Sequence, residues 1–230
     1  ILMSALTMSE GLLQSSGGIW ELNGDFKKTG GTLSITETNL TLTNMALLGL
    51  APVNITLTSD QALSFKTLKL NYNTLTLGSS TSDLTVINAI TIGQNTEGIS
   101  TGDADLILNE SQTISGQGSI TSTGGIISLQ EGGRLLGNGI LDVSGSIWTL
   151  GDNFTKTSGT LTMLQTTLKL EDNSTLTSDV SLNFENLNLN DFTLTLGSST
   201  SDLTVVDNIT IDSSGEGILT GEADLILLSS

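Results

Sequence analysis

Thr74-Leu75-Thr76-Leu77-Gly78-Ser79-Ser80-Thr81-Ser82-Asp83-Leu84-Thr85-Val86 is the stretch that decides the fold. Aliphatic residues alternate with threonine at both ends, and a run of small polar residues divides the halves. A period of two puts Leu75 and Leu77 on one side of an extended chain and the threonines on the other, as in a strand with one buried face. Gly78, Ser79, Ser80 and Asp83 are residues that tolerate positive φ or bond their own backbone in turns. Strand, turn, strand is therefore the local expectation.

The same phrase returns at Thr193 to Val205. Around it, Leu68 to Leu108 aligns without a gap on Leu187 to Leu227, with 29 of 41 positions identical at an offset of 119 (187 − 68). Upstream, Gly17-Gly18-Ile19-Trp20 matches Gly145-Ser146-Ile147-Trp148 at an offset of 128 (148 − 20), and Phe26-Lys27-Lys28-Thr29 lies over Phe154-Thr155-Lys156-Thr157. One insertion explains the difference. Residues Asn44 to Val53, with the sole proline, Pro52, stand where the other copy has Asp172. The copies run over about 11–108 and 139–227, joined by 109–138, in one continuous repeat array.

Equivalent aliphatic pairs follow one another at irregular steps. Leu168/Leu170 leads to Leu187/Leu189, 19 residues on (187 − 168), and then to Ile209/Ile211, 22 further (209 − 187). Leu68/Leu70 leads to Ile90/Ile92, again 22 on (90 − 68). Coils of about 19–22 residues fit an all-β, single-stranded, right-handed parallel β-helix in which each coil stacks on the last. At about 4.8 Å per coil, ~10 to 11 coils make a rod of roughly 50 Å. The segments Ile114-Ser115-Gly116-Gln117-Gly118-Ser119-Ile120 and Leu136-Gly137-Asn138-Gly139-Ile140-Leu141, each an aliphatic residue, G-x-G and another aliphatic residue, resemble the coils of filamentous-haemagglutinin and autotransporter-passenger β-helices. That resemblance implies a secreted bacterial adhesin, fibre or stalk, and brings no catalytic residues with it.

Composition narrows the function. Seven basic residues against twenty-four acidic ones give a net charge of −17, which repels nucleic-acid phosphates and anionic membranes. No apolar run approaches the roughly 18 residues of a membrane span. The start, Ile1-Leu2-Met3-Ser4, lacks a basic leader, so a mature or excised segment of an extracellular or cell-surface protein is expected, continued in both directions by its own chain or by neighbours. Cysteine and histidine are both absent, which removes the thiolate nucleophile, the usual general base and most transition-metal ligands. The expectation is a non-catalytic segment with no cofactor.

Polysaccharide-binding or polysaccharide-degrading β-helices are the alternative. A lyase needs a base such as Arg134, the single arginine, which sits in the turn-like Glu131-Gly132-Gly133-Arg134. Carboxylate pairs for glycoside hydrolysis occur at corresponding places in both copies, as a repeated turn would require. Of these, Asp103 with Asp105 and Glu222 with Asp224 are candidates for a weak Ca²⁺ site, or else solvated charge at a coil corner. Trp20 and Trp148 either form a sugar-stacking platform or fill the core, and core packing is the expectation, as for Phe26 and Phe154. Lys28 and Lys156 are expected to pair with acids. Six Asn-x-Ser/Thr sequons, at Asn39, Asn54, Asn109, Asn153, Asn173 and Asn208, follow from composition and imply no glycans. Ice binding, a minor alternative, needs threonine ladders on successive coils, and Thr41, Lys69 and Thr91 break the row.

The insertion is the most apolar stretch outside the strands. Met45, Leu47, Leu48, Leu50 and Pro52 are expected either to cover an open part of the solenoid or to contact another chain. The expected partner is the protein itself, end-to-end or laterally, or adjoining repeats, with surface glycans as a further class.

Overall fold

The computed structural model describes residues 2–3, 5–43, 51–94 and 96–228. Among them there is no helix, so none is long and apolar enough to cross a membrane. The strands pair in parallel and stack as a β-solenoid of about 10 turns. A spacing of about 4.8 Å per turn gives a rod of roughly 48 Å.

From Leu84 to Ser178, successive strands visit three sheets in rotation. Leu84–Val86 lies in a nine-stranded sheet, Thr91–Ile92 in a seven-stranded sheet and Gly98–Ser100 in an eight-stranded sheet. Leu106–Leu108 then returns to the first and stacks on Leu84–Val86. One circuit is one turn, so the rod has three faces. A four-stranded sheet at the N-terminal end continues toward the seven-stranded one, where Asn88 N–H donates to the Lys66 carbonyl at 2.9 Å.

Ladder partners fix the length of each turn. Leu84 stacks on Leu106 (22 on), Ile127 on Trp148 (21), Trp148 on Leu168 (20) and Leu168 on Leu187 (19), the steps expected from the sequence. Leu40 to Leu68 takes 28 (68 − 40), because the insertion falls in that turn. Within it, Met45, Leu47, Leu48 and Leu50 lie outside the described residues, while Pro52 is exposed and Val53 packs against the core.

Alternation puts the aliphatic residues inside. Leu75 and Leu77, Leu106 and Leu108, and Leu168 and Leu170 are all buried, stacked on like residues above and below. Each contributes about 1.5–3 kcal/mol relative to exposure, so a turn with several such residues is held by its neighbours rather than by its own short strands. The aromatic residues are concentrated in two clusters. Trp20 lies 5.5 Å from Phe26 and 5.6 Å from Phe65, and Trp148 lies 5.0 Å from Phe154 and 6.0 Å from Phe184, between ring centroids. Both tryptophans are fully buried, which confirms core packing and leaves neither indole for a sugar to stack on.

The G-x-G phrases have a steric cause. Gly116 has φ of 59°, and a Cβ there would lie 2.0 Å from the Gly93 carbonyl oxygen. At Gly118 it would lie 2.3 Å from the Ile92 carbonyl oxygen. The corner between these strands is so tight that only a residue without a side chain clears the turn beneath it. Arg134 departs from the sequence reading. It is an outward residue of the strand Gly133–Leu135, between Thr113 and Thr155 on adjacent turns, because Gly132, with φ of 67°, completes the turn before it.

The two copies do not sit on the same faces. Phe26–Lys28 belongs to the eight-stranded sheet and its counterpart Phe154–Lys156 to the seven-stranded one. Trp20 is in the four-stranded sheet, and Trp148 is in the nine-stranded one. The repeat unit is not a whole number of turns, so the second copy is turned by one face around the rod.

Candidate functional surface

What the copies share is mostly internal. In each, a lysine that alternation turns inward reaches a carboxylate at the start of the next turn's corner: Lys28 donates to Asp60, and Lys156 to Asp179. The lysine side chains are 2% and 3% exposed, and the aspartates are 42% exposed in both copies. These are the acid partners expected for the two lysines.

The proposed Ca²⁺ acids have other work. Asp105 Oδ1 accepts from Ile126 N–H at 2.8 Å, and Asp105 N–H donates to Asp83 Oδ1 at 3.0 Å. In the second copy Asp224 N–H donates to Asp202 Oδ1 at 2.9 Å. The carboxylates staple one turn to the next through backbone amides. Asp103 and Glu222 are exposed, and among the described residues no group of three or more acids is placed to hold a metal ion. Two of the sequon asparagines staple in the same way. Asn153 Oδ1 accepts from Thr175 N–H at 2.9 Å, and Asn173 Oδ1 from Thr193 N–H at 2.8 Å.

A carboxylate that the sequence reading passed over also belongs to the framework. Glu97 is buried, and its Oε2 accepts from Gly93 N–H at 3.1 Å and Gln94 N–H at 3.0 Å, while Oε1 accepts from Tyr72 N–H at 3.3 Å. Glu216, at the same place in the second copy, accepts from Asp191 and Asp212 amides. The signal was present as Glu-Gly at identical phase, Glu97-Gly98 and Glu216-Gly217.

Outward rows are mixed. Thr41 stands beside Lys69, and Lys169, Asn188 and Thr210 follow one another up the nine-stranded sheet. Thr76, Ser100 and Thr121 form a row of hydroxyls that ends at Asp142. Arg134 is exposed and makes no ion pair among the described residues.

A groove also differs between the copies. The eight-stranded sheet ends at the strand Thr160–Thr162, and Leu182, Asn183 and Phe184 of the next turn ladder only onward, to Leu203, Thr204 and Val205. The unladdered step is a groove of about 490 Å³, floored by Leu161 and Met163 and flanked by Leu164, Glu185 and Val206. At the equivalent phase of the first copy, Leu33–Ile35 and Gln61–Ser64 line a groove of about 270 Å³. There, Gln61 Nε2 donates to the Leu33 carbonyl at 3.0 Å, and Lys66 Nζ donates to Glu37 Oε2 at 2.7 Å. In the second copy these three positions are Val180, Glu185 and Gln165, among whose side chains no such bond forms.

Comparison with known proteins adds no identity: no family model, curated protein or solved structure matches the chain.

Proposed function

We propose that this chain is a structural repeat segment of an extracellular or cell-surface fibre or adhesin, non-catalytic, acting by assembly or by surface contact. The observation that supports it is the duplication of the internal framework, Trp20/Phe26/Phe65 with Lys28–Asp60 and Trp148/Phe154/Phe184 with Lys156–Asp179, along one uninterrupted core. A solenoid is stabilised by coil terms and nearest-neighbour interfaces, so such a unit adds length without adding a new fold problem. Because each unit is turned by one face, any outward patch carried by every unit is presented around the rod rather than along one side. That suits a fibre that must be met from any direction.

The polysaccharide-degrading alternative would need a cluster of acids and a base facing one site. Arg134 stands alone on its strand between two threonines, which favours the structural reading. Incubation with polygalacturonate or alginate, with and without Ca²⁺, tests the choice. No unsaturated product is expected, and product whose release is abolished by Arg134→Ala would overturn the proposal.

A further inference from the structure

The two grooves occupy the same phase of the repeat, and the first, about 270 Å³ against about 490 Å³, is the more closed. In the first copy Gln61 covers the free backbone edge by donating to Leu33, and Lys66 pairs with Glu37. In the second copy each of these contacts is lost by substitution, and residues in and beside the groove become aliphatic or acidic. Leu164 replaces Thr36, Val180 replaces Gln61, and Glu185 replaces Lys66. Of the residues that line it, Leu164 is 69% exposed and Val206 40%, aliphatic surface that water does not favour. The Glu185 carboxylate has no bonded partner among the described residues.

Three properties of this groove select the same occupant. Its wall is a sheet edge, Thr160–Thr162, with backbone groups that pair on one side only, toward Ile140–Asp142. Extended peptides bind such edges by adding a strand, main-chain hydrogen bonds giving affinity and alternate side chains giving selectivity. The flanks are aliphatic, so the alternate side chains that fit are apolar. The charge at the mouth is negative where the closed copy carries its own lysine, and the whole chain has a net charge of −17, so a cationic residue is attracted and held. We infer that the second groove binds an extended peptide segment of a partner protein, apolar at alternate positions and carrying a lysine or arginine opposite Glu185. The strand lies along the Thr160–Thr162 edge with apolar side chains against Leu164 and Val206.

This inference does not depend on fibre formation and is tested on dilute chain. The probe is a fluorescein-labelled Val-Thr-Val-Lys-Val-Thr peptide, followed by anisotropy, with a second peptide in which glutamate replaces the lysine. Saturable binding of the lysine peptide at one site per chain is expected, with the glutamate peptide at least about tenfold weaker, a difference of about 1.4 kcal/mol. The triple variant Gln165→Glu, Val180→Gln, Glu185→Lys installs the closed copy's own side chains, which the fold already accommodates. It should retain the circular dichroism spectrum and lose binding by about tenfold or more. The reverse variant, Glu37→Gln, Gln61→Val, Lys66→Glu, should raise the stoichiometry to two. No saturable binding, equal binding of both peptides, or binding unchanged by the closing variant would overturn the inference. So would self-association of the chain that the closing variant abolishes, since that would put a second copy in the groove.

Discussion

Lys156 is bonded to Asp179 across the step between two turns, from a position that strand alternation turns into the core, as Lys28 is bonded to Asp60. Lys156 stacks on Ser178, so its partner is the first residue past the stacked position, where the chain leaves the strand and meets water. The lysine stem fills interior volume while its ammonium is satisfied at the corner. A buried charge of this kind is tolerated only with its partner in place.

Removing the carboxylate should therefore cost more than removing the pair. Asp179→Ala is expected to destabilise by about 2 kcal/mol, below the cost of breaking a fully buried pair because the aspartate is partly in water. Lys156→Met keeps the stem and discards the charge, and is expected to cost under about 1 kcal/mol. Guanidinium midpoints of the two variants decide the order. Equal costs would show that the ion pair carries no weight beyond packing.

Two glycines with positive or crowded geometry are expected to respond differently to alanine. Gly17, with φ of 65°, has open space where a Cβ would go, so Gly17→Ala should cost only the backbone strain, about 1 kcal/mol. Gly118→Ala drives the Cβ into the Ile92 carbonyl and must separate two turns, with an expected loss of at least about 3 kcal/mol. Thermal melts followed by circular dichroism compare them directly.

The Glu97 carboxylate holds three amides, from corners of two adjacent turns, so its loss should be felt there first. In Glu97→Ala, hydrogen exchange at Tyr72, Gly93 and Gln94 is expected to quicken while amides such as Ile127 and Leu129, deep in the ladder, keep their protection. The overall cost is expected to be about 1–3 kcal/mol, since buried donors are left without an acceptor. Uniform acceleration along the rod would mean that the corner is not a separate unit of stability.

Deleting residues 45–52 is expected to leave the solenoid standing. The second copy makes the same connection with Asp172 and still stacks Leu176 on Phe154, as Leu57 stacks on Phe26 in the first. The circular dichroism spectrum should be unchanged and the melting midpoint should fall by no more than a few degrees. Unfolding would make the insertion a cover of the core.

Period-two runs such as Leu75-Thr76-Leu77 made the strands and their buried faces legible, and the spacing from Leu168 to Leu187 to Ile209 gave the turn. The buried tryptophans followed from equal phase in two units. The rotation of the second copy was not visible, because it depends on which sheet each strand joins and not on any residue. The Glu97 clamp was hidden for a related reason: its donors, Tyr72 and Gly93, belong to different turns. Arg134 was misplaced because Gly132-Gly133 reads as a turn, while only Gly132 turns and Gly133 begins the strand. The groove needed both copies folded, since the contrast of Gln61 with Val180 has meaning only once each is seen beside its neighbouring turn.

We propose that the unit works by extending and joining rods. Coil stacking buries aliphatic side chains and pairs backbone groups at each join, and the net charge of −17 opposes it. At an ionic strength near 0.15 M the screening length falls to about 8 Å, so salt should favour joining. Electron micrographs of the purified chain across a salt series measure this most directly. Rods of uniform width are expected, roughly 48 Å long at low salt and lengthening by end-to-end addition as salt rises. Single short rods at every salt and protein concentration would mean that the unit does not join end to end.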